Sequence, residues 1–501
     1  MIEFGNLISN LQSSLNIFLP ELVLVVTLLV LIVVDLVFRK NRFINAYVSI
    51  IGFIVSGLLL LFQTREGVGF LGSFVSDNFS FFFKVIILLT NILIVLMSFE
   101  SRELIEKGGN LGEFYTFLVG MSFGMFLVTG ATNLILIYLA IETMSISSYI
   151  LSGYTKEIRR ASEASLKYVI FGAISSGLMI YGISLLFGLT GTLNLYEIKD
   201  FLSVNKVDTF PFFVSVMLII AGFAYKISAV PFHFWTPDVY EGAPITITAY
   251  LSVASKAAGF AALLRFLKLA LSLHTETVDS IWTMVSSIDW TLVIAVFSVL
   301  TMTLGNIVAL WQSNLKRLLA YSSIAHAGYI LMGVAVLNDT GIASVLVYFF
   351  VYLLMNIGAF ICVMLISNEI GSEDIKDFEG LGYRSPLIAS LFSVLLFSLI
   401  GLPPTAGFIA KFYIFAAVID AGLIWLAVLG VINSVISLYY YVKIMRNMFI
   451  RGIDKDKSAL RVATVNQIIV FILAALTLLF GIYFSPIINW ANASASILVW
   501  K

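Results

Sequence analysis

Apolar runs of about 20 residues follow one another along almost the whole chain of 501 residues. A helix needs about 20 apolar residues to cross the hydrocarbon core of a bilayer. We count about fourteen such runs between residues 18 and 489, joined by short loops. The chain is 60% hydrophobic and 12% charged, which lies far from the composition of soluble domains. The sequence therefore predicts an all-α integral membrane protein with about 14 transmembrane helices.

The charge balance and the scarcity of metal ligands exclude several function classes. Lysines plus arginines equal aspartates plus glutamates, so the chain has no basic excess for binding nucleic acid. The single cysteine, Cys362, excludes a disulfide framework and a cysteine-ligated iron–sulfur cluster within the chain. The three histidines are scattered, whereas a membrane cytochrome needs paired axial ligands. We expect this chain to carry no cofactor, no metal and no redox centre.

The loops that follow odd-numbered spans are rich in positive charge. They hold 18 of the 29 lysines and arginines, including Lys156, Arg159 and Arg160, against 6 in the even loops and the C-terminus. Positive loops face the cytoplasm or its equivalent. Both termini should therefore face the opposite side. Lys84 and Lys167 lie near span starts, where snorkelling to the headgroups is the expected explanation.

Four charged residues lie in the middle of predicted spans: Glu142, Lys226, Lys256 and Lys411. A charge at the bilayer centre costs about 2.5 to 3.5 kcal/mol on insertion scales, so such residues usually face a hydrated protein interior. Lys226 is followed by Pro231, which removes a backbone donor and breaks the helix. We interpret the four as parts of an internal proton or ion path. For Lys226 the alternative is snorkelling, or pairing with a carboxylate for packing.

Two short segments recur at almost the same offset, which predicts an internal repeat. Residues 221–226 (AGFAYK) recur as residues 406–411 (AGFIAK), and residues 148–153 (SYILSG) resemble residues 328–333 (GYILMG). The fifth span then matches the tenth and the seventh matches the twelfth. Because five helices is an odd number, the two units cross the membrane in opposite senses. Inverted repeats with broken helices at corresponding positions, here spans 7 and 12, are typical of transporters.

The two histidines near these segments have two interpretations each. His326 lies in the second repeat, where Ser322 and Tyr329 supply further polarity; a structural hydrogen bond and a relay role are both open. His233 lies at the helix break after Lys226, and capping, gating or proton uptake would each suit it. Both are candidate site residues.

Five sequence stretches together are similar to the antiporter-like membrane subunits of respiratory complex I, with subunit N (subunit 2 in plastids and cyanobacteria) as the nearest type. They are IETMSISSYILSGY, SEASLKY with GAISSGLMIYGISLLFGLTG, AGFAYKISAVPFHFWTPDVYEGAP, KRLLAYSSIAHAGY and GLPPTAGFIAKF. The resemblance covers nearly the whole chain. It implies a fourteen-helix fold with two inverted five-helix repeats and a hydrated polar axis. The family's functional glutamate and lysines match Glu142, Lys226, Lys256 and Lys411.

The resemblance also implies a segment plan. Helices 1–3 would occupy residues 1–110, the first repeat residues 111–275, the second repeat residues 286–449 and the last helix residues 450–501. The function implied is proton translocation within a NADH or ferredoxin:quinone oxidoreductase, through a Glu/Lys relay and without redox chemistry in this chain. NAD(H) or ferredoxin, FMN, iron–sulfur clusters and quinone would belong to partner subunits.

The expected partners are a neighbouring antiporter-like subunit of the M type, small membrane subunits of the same complex and the lipid bilayer. The expected location is the bacterial inner membrane, or the thylakoid membrane for a photosynthetic type. The alternative function is a subunit of a multisubunit cation/proton antiporter, which shares the fold. The absence of a mid-span aspartate speaks against it, since sodium sites use oxygen ligands. A structural scaffold would have no need of four costly mid-span charges.

Overall fold

The computed structural model describes residues 11–38, 42–63, 66–109, 111–273, 282–285, 288–451 and 464–497. The predicted segment ends at residues 110, 275 and 286 lie outside these ranges, as do several of the positive residues counted above, among them Arg39 and Lys40. Within the described ranges the chain is built almost wholly of helices that pack side by side.

Thirteen helices in the described part are long and apolar enough to cross a membrane. One further span, number 12 in chain order, is formed by two shorter helices in series. In chain order, spans 1 to 7 are Leu19–Val37, Phe43–Phe62, Asn78–Ser98, Leu111–Gly130, Leu134–Ser152, Arg159–Thr190 and Thr209–Ile227. Spans 8 to 14 are Ile245–Ala270, Trp290–Ala309, Leu315–Ala335, Asp339–Ile370, the pair Pro386–Ile400 with Ala406–Asp420, Ile424–Phe449 and Val465–Ile482. The predicted all-α membrane fold with about 14 spans is confirmed.

The short elements lie between the spans. Two two-stranded antiparallel hairpins occur in the described loops, Glu66–Gly69 with Phe74–Asp77 and Ser272–Leu273 with Thr283–Met284. The remaining helices and turns are Arg102–Lys107, Leu195–Val204, Trp235–Gly242, Ile375–Phe378, Leu381–Arg384 and Ser485–Ser494. Spans 8, 10 and 11 are almost wholly covered by other helices, whereas spans 1, 2 and 14 are mostly exposed. The interior that surrounds spans 8, 10 and 11 is therefore the place where charge can be kept from lipid.

The two repeats agree in local geometry at an offset of 180 to 181 residues. Asn133 caps the start of span 5 and Asn314 caps the start of span 10, each through its side-chain oxygen. Each asparagine also forms an antiparallel bridge, with Asn194 and Asp374 respectively. Spans 6 and 11 are both 32 residues long, and each ends at a left-handed glycine, Gly191 or Gly371. Because spans 5 and 10 begin on opposite sides of the bundle, the two units are inverted.

The recurring hexamer is not structurally equivalent in the two repeats, contrary to the sequence alignment above. Span 7 is followed after a break by the short helix Trp235–Gly242, so it has two helices in series. Residues 221–226 lie at the end of the first of these helices, which Ser228 stops with a φ of 63°. Residues 406–411 begin the second helix of span 12, after the break that starts at Gly401. Lys226 thus precedes its break and Lys411 follows its own. The breaks correspond, as predicted, but the two lysines do not.

Span 8 contains a π-helical segment, Leu251–Ser255, directly before Lys256. A π turn widens the helix and frees backbone groups from the regular ladder, and such turns occur mostly at functional positions. The side chain of Asn356 in span 11 donates a 2.6 Å hydrogen bond to Ser252 within this segment. The widened turn is thus held from the neighbouring span, and it sets the direction in which Lys256 leaves the helix.

Two sequence-based interpretations of cations are wrong. Lys84 does not snorkel: its side chain is fully buried and forms a 2.6 Å ion pair with Glu21 of span 1. Arg265, one of the six cations assigned from the sequence to the even loops and the C-terminus, does not lie in a loop. It is fully buried within span 8 and donates two hydrogen bonds, of 2.9 and 3.0 Å, to the carboxylate of Asp77. Both cations are near the ends of spans, and their carboxylate partners are buried beside them.

Candidate functional site

Lys256 lies at the centre of the bundle, where span 8 meets span 10. Its side chain is 1% exposed. The Nζ atom donates a 2.8 Å hydrogen bond to the backbone oxygen of Ser323 and a 2.7 Å bond to the hydroxyl of the same residue. Span 8 belongs to the first repeat and span 10 to the second, so this contact joins the two units.

Lys226 lies at the end of the first helix of span 7 and is fully buried. Its Nζ atom donates a 3.1 Å hydrogen bond to the hydroxyl of Ser145 in span 5 and lies 5.9 Å from the ring of Tyr168. Gly259 lies three residues after Lys256 and packs against Lys226, since a Cβ built on Gly259 would stand 3.5 Å from the Cβ of Lys226. Residues three apart share one helix face. Lys226 and Lys256 therefore share the interface between spans 7 and 8.

Glu142 lies one helical turn before Ser145 in span 5 and is only partly buried within this chain. Its carboxylate accepts a hydrogen bond from the hydroxyl of Ser176 in span 6. No ion pair joins Glu142 to Lys226 among the described residues, although the two charges are close enough to influence each other. Lys226 therefore forms no direct pair with Glu142 in this structure and bonds instead to Ser145, one helical turn further along span 5.

Span 10 carries a row of polar side chains with a spacing of three residues. Ser323 holds Lys256, His326 follows one turn later, and Tyr329 follows after one turn more. At 1.5 Å per residue, Ser323 and Tyr329 are about 9 Å apart along the helix axis. The row therefore connects Lys256 with the region around Lys411.

His326 is buried between two tyrosine hydroxyls. Its Nδ1 atom is 2.6 Å from the hydroxyl of Tyr348, and its Nε2 atom is 3.3 Å from that of Tyr441. Tyr441 is also hydrogen-bonded to the hydroxyl of Ser322. A neutral imidazole carries one donor and one acceptor nitrogen, so a proton can leave on one side and be replaced on the other. His326 thus has partners that suit a relay as well as a structural role.

Lys411 lies in the second helix of the broken span 12, and its side chain is 4% exposed. Its Nζ atom donates a 2.7 Å bond to the backbone oxygen of Ile400 and a 2.8 Å bond to the hydroxyl of Ser434. It also lies 4.6 Å from the centre of the Tyr329 ring. The break leaves the Ile400 carbonyl without a helical partner, and Lys411 takes that position.

His233 is set apart from the other candidates. It is 4% exposed, lies in the break of span 7 and packs its ring against Phe234 at a centroid distance of 4.4 Å. Its Nδ1 atom has no hydrogen-bond partner among the described residues. Among the described residues no hydrogen bond joins His233 to Glu142, Lys226, Lys256 or Lys411.

The partners of the three lysines were not recognised from the sequence. Ser145 follows Glu142 by three residues, and this helical spacing was the one signal available for it. Ser323, Tyr441 and Ser434 lie far in sequence from the residues that they bind. Buried serines and tyrosines are common in membrane helices, so residue type alone does not distinguish them.

Residues 131–437 match the family model described as "NADH:quinone oxidoreductase/Mrp antiporter, TM". The chain belongs to this family. The matched residues contain all six candidate site residues and span both repeats.

Several relatives in the family match 90% or more of the chain. The protein named NADH-quinone oxidoreductase subunit N 2 of Chloroherpeton thalassium is 47% identical, with 99% of this chain and 97% of that protein covered. NADH-quinone oxidoreductase subunit N of Chlorobium chlorochromatii is 45% identical over the same shares of the two chains. NAD(P)H-quinone oxidoreductase subunit 2 of Thermosynechococcus vestitus is 42% identical over 90% of this chain and 85% of that protein.

Solved structures share the same fold. A chain of respiratory complex I from Thermus thermophilus matches with a TM-score of 0.77 and 28% identity, covering 94% of this chain and 98% of that one. A chain of the Mrp complex from Dietzia has a TM-score of 0.78 at 20% identity, covering 96% and 97%. The second match concerns the fold alone. The chain is thus a multi-pass membrane protein with the architecture of the antiporter-like subunits.

Proposed function

We propose that this chain is the proton-translocating N-type membrane subunit of a NADH (or ferredoxin):quinone oxidoreductase. Protons would move along Glu142, Lys226, Lys256, His326 and Lys411 in response to electron transfer in other subunits. The chain would be part of an enzyme without itself performing the redox reaction. The proposal rests on the family, on the full-length likeness to N-type relatives and on the geometry of the buried lysines.

One contrast between buried cations carries the proposal. Four cations that are buried or nearly so have carboxylate partners: Lys84 with Glu21, Arg265 with Asp77, Lys268 with Asp339, and Lys316 with Glu373. Lys226, Lys256 and Lys411 form no ion pair among the described residues and bond only to hydroxyl and carbonyl oxygens.

This difference in partners has a chemical consequence. A carboxylate stabilises the charged form of a lysine, whereas neutral acceptors in a low-dielectric interior leave the charged and neutral forms close in free energy. Amines of the second kind can accept and release protons. The three lysines with neutral partners are therefore suited to a proton relay, and the cations paired with carboxylates are suited to stabilising the fold.

The relay would work by changes in neighbouring charge. Negative charge at Glu142 can move toward or away from Ser145 and Lys226. This movement alters the proton affinity of Lys226. The charge of the Lys226 amine in turn alters the proton affinity of Lys256 across the shared face of spans 7 and 8. From Lys256 the row Ser323, His326 and Tyr329 leads to Lys411. Because interacting sites titrate as a unit, the relevant quantity is the protonation of the group and not of any one member.

The cofactors and specific partners follow from this role. NAD(H) or ferredoxin, FMN, iron–sulfur clusters and quinone would be bound by other subunits. Among the described residues no group of three or more His, Cys, Asp or Glu side chains is placed to hold a metal ion. Neighbours in the membrane would include an M-type antiporter-like subunit and small membrane subunits. The membrane would be a bacterial inner membrane or a thylakoid membrane.

The alternative, a subunit of a stand-alone cation/proton antiporter, has less support. The likeness to the Mrp complex is a likeness of fold at 20% identity, whereas N-type relatives reach 47% identity. A test that separates the two functions is sodium dependence: the antiporter requires a sodium or potassium gradient, and the proposed subunit requires only electron transfer.

The experiment is redox-driven proton uptake into vesicles that contain the assembled complex. We expect Glu142→Gln and Lys226→Ala to reduce uptake by roughly 100-fold or more, the lower end of the range for loss of a positioned proton-transfer group. The matched control is Lys443→Met, since Lys443 is a partly buried lysine that bonds a backbone oxygen at the edge of the bundle. Assembly is checked by the yield of the complex. Wild-type uptake in both single variants, at equal assembly, would show that these residues are structural.

A further inference from the structure

A polar cavity of about 530 Å³ opens on the side of the molecule that carries the positive loops. It is lined by the short helix Arg102–Lys107, by the residues that connect spans 7 and 8, and by the ends of spans 10 and 11. All of these belong to odd-numbered loops. The cavity therefore lies at the seam of the two repeats, on the side predicted to face the cytoplasm or its equivalent.

We propose that this cavity is the proton-uptake site of the relay, and that Glu103 is the carboxyl group that collects protons there and passes them to Lys256. This inference rests on the proposed function and adds a residue to it. Glu103 lies in the cavity wall, only partly exposed, and its carboxylate accepts a 3.3 Å hydrogen bond from the backbone N–H of Ile245.

Spans 8 and 10 both begin at the cavity, and they contact each other at Lys256. Ile245, bonded to Glu103, begins span 8, which carries Lys256. Lys316 is in the wall of the cavity at the start of span 10, and it donates a 3.0 Å bond to the backbone oxygen of Ala243. Seven residues further along span 10, about 10 Å at 1.5 Å per residue, Ser323 bonds Lys256. About two helical turns separate the cavity from the relay.

Several buried hydroxyl groups belong to the segments between the cavity and Lys256. Tyr240, next to the cavity residue Glu241, and Tyr352 of span 11 both face Ser323, yet neither hydroxyl has a hydrogen-bond partner of good geometry among the described residues. The hydroxyls of Thr246 and Ser255 in span 8 are likewise buried without such a partner. Buried polar groups of this kind usually bond to ordered water, which can transfer protons between them. Thr246 follows Ile245 at the start of span 8 and Ser255 directly precedes Lys256, so orphan hydroxyls occur at both ends of the interval between Glu103 and Lys256.

The charges around Glu103 suit a carboxyl that binds and releases protons. Burial raises the pKa of Glu103 above its usual value, and Glu373 acts in the same direction, whereas Lys316, Lys107 and the Ile245 N–H oppose the rise without cancelling it. Further charged groups in the cavity wall are Arg102, Glu106, Arg160, Glu241 and Asp374. Glu241 is engaged with Arg317 at 2.8 Å and Lys316 with Glu373 at 2.8 Å. Glu103 has no ion pair among the described residues, so its carboxyl remains available.

The proposed transfer conserves charge at each step. A hydronium ion or buffer acid in the cavity gives a proton to the Glu103 carboxylate. The carboxyl O–H bond then breaks as the proton passes over the hydroxyls and water to the neutral amine of Lys256, where an N–H bond forms. The Glu103 carboxylate is thereby restored for the next proton.

The test compares three variants in the assembled complex: Glu103→Gln, Glu103→Asp and, as a matched control on the same short helix and in the same cavity wall, Glu106→Gln. Redox-driven proton uptake is measured between pH 6 and pH 8. We expect Glu103→Gln to reduce uptake at pH 8 by roughly 100-fold, the low end of the range for one proton-transfer group. The ratio of variant to wild type should decrease as pH rises, because hydronium becomes scarcer. Glu103→Asp should retain most of the uptake, and Glu106→Gln should equal wild type.

Thermal stability separates this role from a structural one. Folding raises the pKa of Glu103. The ionised carboxylate therefore destabilises the native state at pH values above the pKa of the folded protein, and this effect is absent below the pKa of the unfolded chain. Glu103→Gln should therefore raise the Tm of the complex at pH 8 relative to wild type, and the difference should vanish as pH falls toward 4. A residue that served only the fold would lower the Tm when replaced.

Each result has a defined meaning. Wild-type uptake in Glu103→Gln at all pH values overturns the uptake role, as does a pH-independent loss with a lowered Tm. Equal losses in Glu103→Gln and Glu106→Gln overturn the assignment to Glu103. Lys256→Met in the same preparation keeps the two proposals apart: if it abolishes uptake while Glu103→Gln does not, the relay stands and the uptake site is wrong. If Lys256→Met pumps like wild type, the relay itself is wrong.

Discussion

Lys256 of span 8 donates two hydrogen bonds to one residue of span 10, Ser323, through the backbone oxygen at 2.8 Å and the hydroxyl at 2.7 Å. The contact is the point at which the charged groups of the first repeat reach those of the second. It also orients the amine at the end of the π-helical segment Leu251–Ser255. A relay that crosses from one repeat to the other passes through this pair.

Removal of the Ser323 hydroxyl should slow the relay without stopping it. In Ser323→Ala the backbone oxygen remains, so the Lys256 amine keeps one of its two acceptors. We expect proton uptake by the assembled complex to fall by about 10-fold, which corresponds to about 1.4 kcal/mol in the barrier. The matched control is Ser344→Ala, a fully buried serine of span 11 that bonds its own helix backbone. Equal uptake in the two variants would contradict a role for Ser323.

The buried pair Lys84–Glu21 should contribute to stability and not to pumping. Both side chains are fully buried, and the ion pair joins spans 1 and 3. Breaking a buried ion pair from one side costs about 3 to 5 kcal/mol, whereas replacing both members by apolar residues is often neutral. We expect Lys84→Met alone to lower the Tm and the yield of the complex. The double variant Lys84→Met with Glu21→Leu should restore both, with normal uptake per assembled complex. A double variant as unstable as the single one would contradict this explanation.

The sequence predicted the helical architecture well because the signal is local. A span needs an unbroken apolar run, and a break needs glycine or proline within it, so the spans and both breaks were found from the sequence. The positions of the mid-span charges were also found, since each lysine interrupts an apolar run.

The partners of those charges could not be predicted, because they depend on contacts between distant spans. Ser434 and Lys411 are 23 residues apart, and Ser323 and Lys256 are 67 residues apart. Lys84 was interpreted from its place in one span, and its partner Glu21 lies in another. The hexamers at residues 221–226 and 406–411 look equivalent as strings, yet they lie on opposite sides of their breaks. Sequence similarity over six apolar residues does not record which side of a break they occupy.

The predicted orientation can be tested with two single cysteines. Arg159 and Asn205 are both exposed; Arg159 begins span 6 directly after an odd loop, and Asn205 lies in an even loop. The native Cys362 is fully buried and should not react. A membrane-impermeant maleimide added outside intact cells should label Asn205→Cys and not Arg159→Cys, because positive loops remain on the cytoplasmic side. After the membrane is opened, both should react. Labelling of Arg159→Cys in intact cells would overturn the orientation.

Lys411 is held by groups that accept hydrogen bonds and carry no charge, the Ile400 carbonyl at 2.7 Å and the Ser434 hydroxyl at 2.8 Å. Its chain also packs against the left-handed turn at Gly401, where an added Cβ would stand 2.7 Å from the lysine Cδ. The site thus fits one long, unbranched side chain with a proton to donate. A protonated glutamate can donate to the same carbonyl, whereas methionine cannot donate at all.

We therefore expect Lys411→Glu to retain partial proton uptake, and Lys411→Met or Lys411→Ala to lose most of it. Lys411→Arg should also fail, because a guanidinium keeps its proton at any physiological pH and cannot relay it. The measurement is redox-driven uptake into vesicles at matched amounts of the complex, with Lys443→Arg as the control for the same exchange outside the relay. If Lys411→Arg pumps like wild type, the position requires only a fixed positive charge. The amine of Lys411 would then be an electrostatic anchor, and the proton would have to leave the His326 region by another group.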